Sequence, residues 1–474
     1  MKSEEKLQPG LLVAILSVSL LILCGLLTET ATNIAFPTLM EEYGVSASSV
    51  QWLTTGKMLV VAMITPISAY LKKRFMTKKL FLFSALTFLI GCVIGTFAWS
   101  FGILAASAII QGLGIGVALP MVFNIILEQV PSTKTGTMMG IASLIMSAGP
   151  ALGPTFGGIV ITALGWRAIF SLMIPLTLIS LIGGAFTIKQ KTAPTKPSLD
   201  GVGALLVMAG FFLLIYGITK LEVISQQPVQ VVSYLVLGIV ALAVFCLHAK
   251  RKAEPLVRLI VFKSPVFNWH LLSYIFMQIV FLGFSFALSN YLQIVCGASA
   301  FITGLCLLPG AMGQAVLSIC SGMLLDKYGA KKPIYFGSVL AILGTGLFFI
   351  SGVYMDMVKV IVFYIIAEVG LGCTYGNTMT HALQRISPED NSDGNAVFNT
   401  FGQLAGSIGT SVAAVILTFF QQDANYTSLT DATASGIHLT FAVFLMLMIL
   451  NLVFQIAAFN KSPVKQNLSV GKEN

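Results

Sequence analysis

Three charged side chains stand in the middle of long apolar runs: Glu29, Lys57 and Glu368. A charge near the centre of a membrane-crossing helix costs on the order of 3 kcal/mol on insertion scales, so such residues face a bundle interior and serve ion or substrate pathways. A carboxylate placed there can take up and release a proton as water access changes. An ammonium can pair with it, or with an anionic ligand. At a rise of about 1.5 Å per residue, Glu29 lies about 12 Å from Pro37, the expected end of its helix, and Lys57 about 10 Å from Val50, where the next begins. The two therefore sit at similar depth on consecutive helices. They are expected to face each other across a cavity, where breaking and remaking the pair would couple protonation to substrate entry. The bland alternative is a Lys57 that snorkels outward alone. Glu368, about 15 Å into its own run and near the midplane, is a second candidate proton carrier. Its alternative is a buried protonated acid hydrogen-bonded to a neighbouring helix. A cavity with acids from both sides would suit cationic amphiphiles, which need charge neutralisation and an aromatic wall.

Other polar residues within the apolar runs are expected to line the same path: Asn33, Gln51, Gln111, Asn124, Asn290, Gln293, Gln314, Asn377, Asn399 and Gln403. The competing use of such residues is hydrogen bonding between helices. His381, close to the end of its run, reads as a structural or interfacial group rather than a proton relay, and Glu128 as interfacial.

The elements that must position these residues follow from composition. Charged residues make up 9% of 474, against roughly 25% in soluble domains, and hydrophobic residues 56%, which excludes a soluble fold. About fourteen apolar stretches of roughly 17 to 29 residues are each long enough to span a hydrocarbon core as helices. Runs such as 11–27 and 441–450 are apolar on nearly all sides, unlike the alternating strands of a barrel. The first run is too long for a signal peptide and is preceded by Glu4 and Glu5 as well as lysines. The seven cysteines have no paired spacing, so neither a disulfide framework nor a zinc site is expected, and no cofactor.

Spans are expected near 11–36, 50–71, 80–99, 103–127, 136–164 and 168–187, then 201–219 and 231–247, then 268–295, 302–325, 333–353, 358–383, 396–420 and 437–459. The expected division is a first six-helix bundle (1–188), a linker with two additional transmembrane helices (189–263), a second six-helix bundle (264–460) and a cytoplasmic tail (461–474). With the N-terminus cytoplasmic, all but four of the 27 basic residues fall on the inner side. The exceptions are Arg167, Lys220 and Lys359 outside and Lys57 within a helix, so the positive-inside rule favours both termini cytoplasmic. An internal repeat agrees: ISAYLKKRFMTKKLFLF (Ile67–Phe83) aligns with CSGMLLDKYGAKKPIYF (Cys320–Phe336) at a constant offset of 253 residues. Duplication at matching positions is a mark of two-bundle transporters, with the substrate site between the bundles near the midplane.

Four segments carry a family likeness. LTETATNIAFP (Leu27–Pro37) holds Glu29, Asn33 and Pro37. SAGPALGPTFGG (Ser147–Gly158) holds Gly149, Pro150, Gly153, Pro154, Gly157 and Gly158. WRAIF (Trp166–Phe170) follows, and GMLLDKYGAKK (Gly322–Lys332) holds Gly322, Asp326, Lys327 and Gly329. Together these resemble the fourteen-helix drug:proton antiporter branch of the major facilitator superfamily, over essentially the whole chain. The resemblance implies an all-α membrane fold of two six-helix bundles plus two extra helices in a bacterial inner membrane. It also implies export of amphiphilic compounds against protons, with Glu29 as proton carrier and the glycine–proline and loop motifs as gating elements. Two departures stand out. Lys73 occupies the position in the first loop copy that Asp326 holds in the second, and Ala108 stands where the family has an arginine three residues before Gln111-Gly112. Glycines four apart, such as Gly149, Gly153 and Gly157, also allow close helix packing in any membrane protein. Asp326 is expected to cap the helix that follows it or to pair with a neighbouring cation. A dedicated exporter of one endogenous or anionic amphiphile is the competing transport function. A membrane enzyme or sensor lacks support from any nucleophile–base constellation, metal spacing or phosphate-binding loop.

Overall fold

The chain folds entirely into helices among the described residues of a computed structural model. The structure describes residues 8–461 apart from positions 46, 51, 196–197, 199, 222–223, 225, 253–254, 424 and 427, and at 37, 47–48, 147, 150–151, 154 and 300 it describes the backbone alone. The long helices are α1 (Pro9–Ile34), α2 (Trp52–Arg74, with a 3-10 turn at Thr65–Ile67), α3 (Thr77–Thr96), α4 (Phe101–Gln129), α5 (Thr135–Leu164), α6 (Arg167–Thr187), α7 (Gly201–Thr219) and α8 (Pro228–Arg251). After a short 3-10 turn come α9 (Pro265–Asn290, running into a π turn at Tyr291–Val295), α10 (Ala300–Tyr328), α11 (Lys331–Ile350), α12 (Met357–Leu383), α13 (Asn391–Gln422) and α14 (Leu429–Asn460). Among the described residues, thirteen helices are long and apolar enough to cross a membrane, and α5, thirty residues long, contains the apolar stretches Thr135–Met146 and Thr155–Leu164.

Local chemistry fixes where several helices start. Ser100, Asp200, Ser264, Ser299, Asp356 and Ser428 each accept a hydrogen bond from a backbone N–H in the first turn of α4, α7, α9, α10, α12 and α14. Gly165 and Gly329, with φ of +83° and +82°, end α5 and α10 in a conformation that side chains disfavour.

Helices α1 to α6 pack on one another through α1–α5, α1–α6, α3–α4, α3–α6 and α2–α4, and α9 to α14 do so through α9–α13, α9–α14, α10–α12, α11–α12 and α11–α14. The two sets meet along two seams. In one, α5 lies against α10 and α12; in the other, α2 and α4 lie against α13. Helix α7 wedges beside the second seam and touches both α2 and α13, with Leu59, Ala62, Ile215 and Leu404 forming a small apolar cluster there. Helix α8 packs on α7 and is the most exposed span. The hairpin is clamped at its base by Asp200, which accepts from His248 and Lys252 at 2.9 Å each. Burial pushes the Asp200 carboxyl up, but these partners and the Gly203 N–H outweigh it and hold it at about 2.

Candidate functional site

Helices α1, α2, α4 and α6 enclose a narrow cleft lined by Thr28, Glu29, Thr32, Leu53, Thr54, Lys57, Leu104, Ala108, Gln111 and Phe170. Small residues bring the helices this close. A Cβ on Gly112 would stand 2.9 Å from the Lys57 carbonyl oxygen, and one on Gly25 would stand 2.4 Å from Ile115 Cδ1. The cleft has room for about one water molecule. Lys57 is 3% exposed, and its Nζ donates 2.6 Å to the Gly25 carbonyl while lying 6.0 Å from the Phe88 ring centre. Gly25 precedes Glu29 by one helical turn, about 6 Å along the axis between their backbones, so the ammonium is anchored on the turn before the carboxylate. No ion pair within 4.0 Å joins the two, and the Glu29 carboxylate has no hydrogen-bond partner among the described residues. Ala108 of α4 and Lys57 of α2 line this same cleft. A water-accessible carboxylate beside a buried ammonium is a group that can exchange a proton with a cationic ligand, since either neutralises it.

Glu368 is elsewhere. It is fully buried in α12, with Tyr364 one turn before it. Close approaches hold α12 between α10 and α11: added Cβ atoms would lie 2.3 Å from the Tyr364 ring at Gly310 and 2.4 Å from Ala367 N at Gly344. The structure therefore does not bring Glu29 and Glu368 into one cavity.

The basic end of the molecule is latched in two places. Asp326 Oδ1 accepts from Gly136 N at 2.7 Å, and Oδ2 accepts from Thr137 N at 2.8 Å and Thr137 Oγ1 at 2.7 Å. It thus caps α5 across the seam, rather than its own following helix or a cation. The reason is steric. Gly136 and Gly322 have no side chains, so the end of α10 lands on the start of α5, whose free N–H groups become the nearest donors. Lys327 is exposed, 5.1 Å from the Tyr328 ring centre. On the second seam Lys73 Nζ donates 2.5 Å to Asp393 Oδ2, and Asp393 Oδ1 accepts from Arg258 N at 3.2 Å. The charge that is acidic on the α10 loop copy is basic on the α2 copy, and its acid has moved to the helix it meets. Asn395 Nδ2 donates to Pro120 O at 2.7 Å and Asn124 Oδ1 at 2.9 Å, and Ser318 Oγ donates to Gly140 O at 2.9 Å. These contacts between α1–α6 and α9–α14 gather toward this end.

The glycine motif of α5 faces α1. Added Cβ atoms would meet Leu26 Cβ at 2.5 Å from Gly149, Thr30 Oγ1 at 1.7 Å from Gly153 and Ala31 Cα at 2.9 Å from Gly157, whereas Gly158 has open space. Thr30 Oγ1 lies 3.4 Å from the Gly149 carbonyl as donor. The stripe therefore presses α5 onto the turn of α1 that bears Glu29. For Pro150 and Pro154 the backbone alone is described, and Gln51 lies outside the described residues.

The remaining polar candidates disperse. Asn33 is exposed at the end of α1 and accepts from Thr54 at 2.5 Å. Asn124 belongs to the latch. Asn290 and Asn377 donate to carbonyls of their own helices at 2.9 Å, and Gln293 is exposed in the π turn. Gln314 is buried with an unpartnered oxygen, Asn399 donates to Asn395, and Gln403 is half-buried. Sequence reasoning missed Asp393 and Asn395; an acid in the first turn of α13 was the available signal.

Two packed helical sets, the first enclosing a charged cleft, are the architecture of a multi-pass membrane transporter. The Major Facilitator Superfamily model matches residues 18–410, and the chain belongs to that family. Relatives include the lincomycin resistance protein LmrB of Bacillus subtilis, 34% identical with 84% of each chain covered. The multidrug resistance protein B homolog of Mycobacterium tuberculosis is 26% identical over 82% of this chain and 73% of its own. The human organic anion transporter MFSD10 shares the fold, with a TM-score of 0.67 at 15% identity over 94% of this chain and all of its own. The chain is a protein of the bacterial inner membrane.

Proposed function

We propose that this transporter exports amphiphilic, cationic compounds in exchange for protons, by alternating access between two six-helix bundles (residues 1–188 and 264–460). The fourteen-span topology, with both termini and the 461–474 tail cytoplasmic, belongs to the same reading, as does an auxiliary role for the two helices within 189–263. The observation that carries it is the unpaired Glu29 carboxylate in a cleft wide enough for water, one turn from the anchored Lys57 ammonium. Proton and cationic substrate then compete for Glu29, and competition for one site is what antiport requires. Membrane lipid supplies the route by which such compounds reach the transporter. Relatives named for lincomycin resistance, for multidrug resistance and for tetracenomycin C resistance and export support the substrate class.

Ethidium efflux from proteoliposomes under an imposed pH gradient tests the reading. Native protein is expected to drive efflux and Glu29→Gln to lose it; efflux preserved in the variant removes Glu29 from the role. A second reading rests on Lys57, whose buried ammonium in the same cleft suits the head group of one endogenous anionic amphiphile. Under that reading ethidium is not moved by either protein, and an anionic amphiphile competes for transport.

A further inference from the structure

A pair of buried histidines sits at the basic end of the second helical set, outside the cleft and the latches. His270 of α9 and His381 of α12 are 0% and 6% exposed, and His270 Nε2 lies 2.8 Å from His381 Nδ1. Their rings meet edge-on at 4.9 Å, and Phe459 of α14 packs against both, itself backed by Tyr335 of α11. Arg385, exposed in the loop after α12, places Nη2 3.4 Å from His381 Nε2.

The donor inventory fixes the protons. A guanidinium only donates, so His381 Nε2 must offer its lone pair to Arg385. His381 then carries its proton on Nδ1 and donates it to His270 Nε2, which leaves the His270 proton on Nδ1. That Nδ1 is buried and faces the side chain of Gln455. Gln455 Nε2 continues the polar chain, donating 2.5 Å to Ser273 Oγ and 2.9 Å to Thr378 Oγ1, and Ser273 donates to Asn451. The groups facing the pair are thus Ser273 from α9, Thr378 from α12, Asn451, Gln455 and Phe459 from α14, and Arg385 from the loop. Among the described residues Arg385 is the one formal charge that acts on both imidazoles, and no carboxylate offsets it.

The geometry points to a second proton-binding site at the His270–His381 pair, in which a proton and the Arg385 guanidinium compete for the single lone pair on His381 Nε2. The step is a simple exchange: Arg385 leaves, water at the basic end delivers a proton to Nε2, and the added charge is shared across the Nδ1–H···Nε2 bond. Deprotonation reverses it. The consequence is mechanical, because Arg385 and Ile386 belong to the loop that leads into α13. The Ile386 side chain packs at Gly394, where an added Cβ would stand 2.6 Å from it, next to Asp393 of the Lys73 latch. Release of Arg385 frees this loop and loosens the latch, so proton occupancy in the second bundle is linked to opening of the basic end. This link rests on reading Lys73–Asp393 as a latch.

The test is the distance between spin labels at positions 79 and 332, exposed counterparts at the basic ends of the two sets, in full-length protein in lipid nanodiscs across a pH series. Native protein is expected to shift toward the longer distance as pH falls. His381→Gln, whose carboxamide still accepts from Arg385 but takes no proton, should show one distance at every pH. Arg385→Gln, an exposed change that folding tolerates, removes the guanidinium that holds the loop and should favour the longer distance at every pH. A native-like pH response in His381→Gln, or in Arg385→Gln, overturns the proposal. Asp393→Asn separates the two readings. It should favour the longer distance at all pH values, and if it stays closed while His381→Gln still abolishes the pH response, the latch fails and the proton site stands.

Discussion

At the residue scale the decisive contact is Lys57 Nζ on the Gly25 carbonyl, one turn from Glu29. A buried ammonium held on a carbonyl oxygen is costly to keep, and under the proposed function its field acts on the Glu29 cleft. Lys57→Met should therefore keep the fold and change the pH dependence of efflux; a pH profile identical to native, together with loss of transport in Glu29→Gln, would dissociate the two residues. Gly153→Ala should clash with Thr30, whose Oγ1 would sit 1.7 Å from the new methyl, and overpacking of this kind costs about 1–3 kcal/mol. Thermal unfolding in detergent should show the loss, with Thr30→Ala relieving part of it. Glu29 and Lys57 were legible in the sequence because depth along a helix is simple arithmetic. That Glu368 would lie apart from them was not, because depth says nothing about which face a helix turns toward which neighbour.

Among the elements, the repeated loops explain a departure that looked like a defect. Lys73 in place of an acid is matched by Asp393 on the facing helix, so the first seam and the second are closed by opposite polarities. Lys73→Asp alone should weaken closure of the basic end, and Lys73→Asp with Asp393→Lys should restore it, as read by the distance between spin labels at positions 79 and 332. Restoration failing would mean that the pair is not what holds that seam. Internal repetition located both loops from sequence alone, yet the partner of Asp326 was misjudged. Its own neighbours in sequence were the only candidates a linear reading could offer, while the bare backbone of α5 was brought in by two glycines on separate helices.

The extra hairpin shows the same limit. Its two spans were readable from hydropathy, but only packing places α7 against α2 and α13, with Phe211 on Phe401 and Trp52 on Tyr216. Asp200 holds the hairpin base, and its carboxyl, lowered from 3.8 to about 2, contributes stability that is fully present above about pH 3.8 and lost as pH falls through about 2. Proteolysis within the hairpin should rise over that window in native protein, and Asp200→Asn should already be susceptible at neutral pH.

Across the whole molecule, the Asp326, Lys73, Asn395 and Ser318 contacts between the two helical sets lie toward the basic end, while the opposite half of α5 packs on α1 within its own set. Such a distribution leaves the Glu29 cleft away from these contacts, as the proposed alternating cycle would need in one of its states. Composition and the positive-inside bias made the membrane class readable at once. Which end is sealed depends on contacts between residues more than a hundred positions apart, beyond any periodicity in the chain. The most direct measurement is the proton count on substrate binding: ethidium added to weakly buffered, detergent-solubilised protein with a pH indicator present. Native protein should release a proton as the cation binds, and Glu29→Gln should bind without release. Equal release from both proteins would contradict the assignment of Glu29 as the shared site of proton and drug.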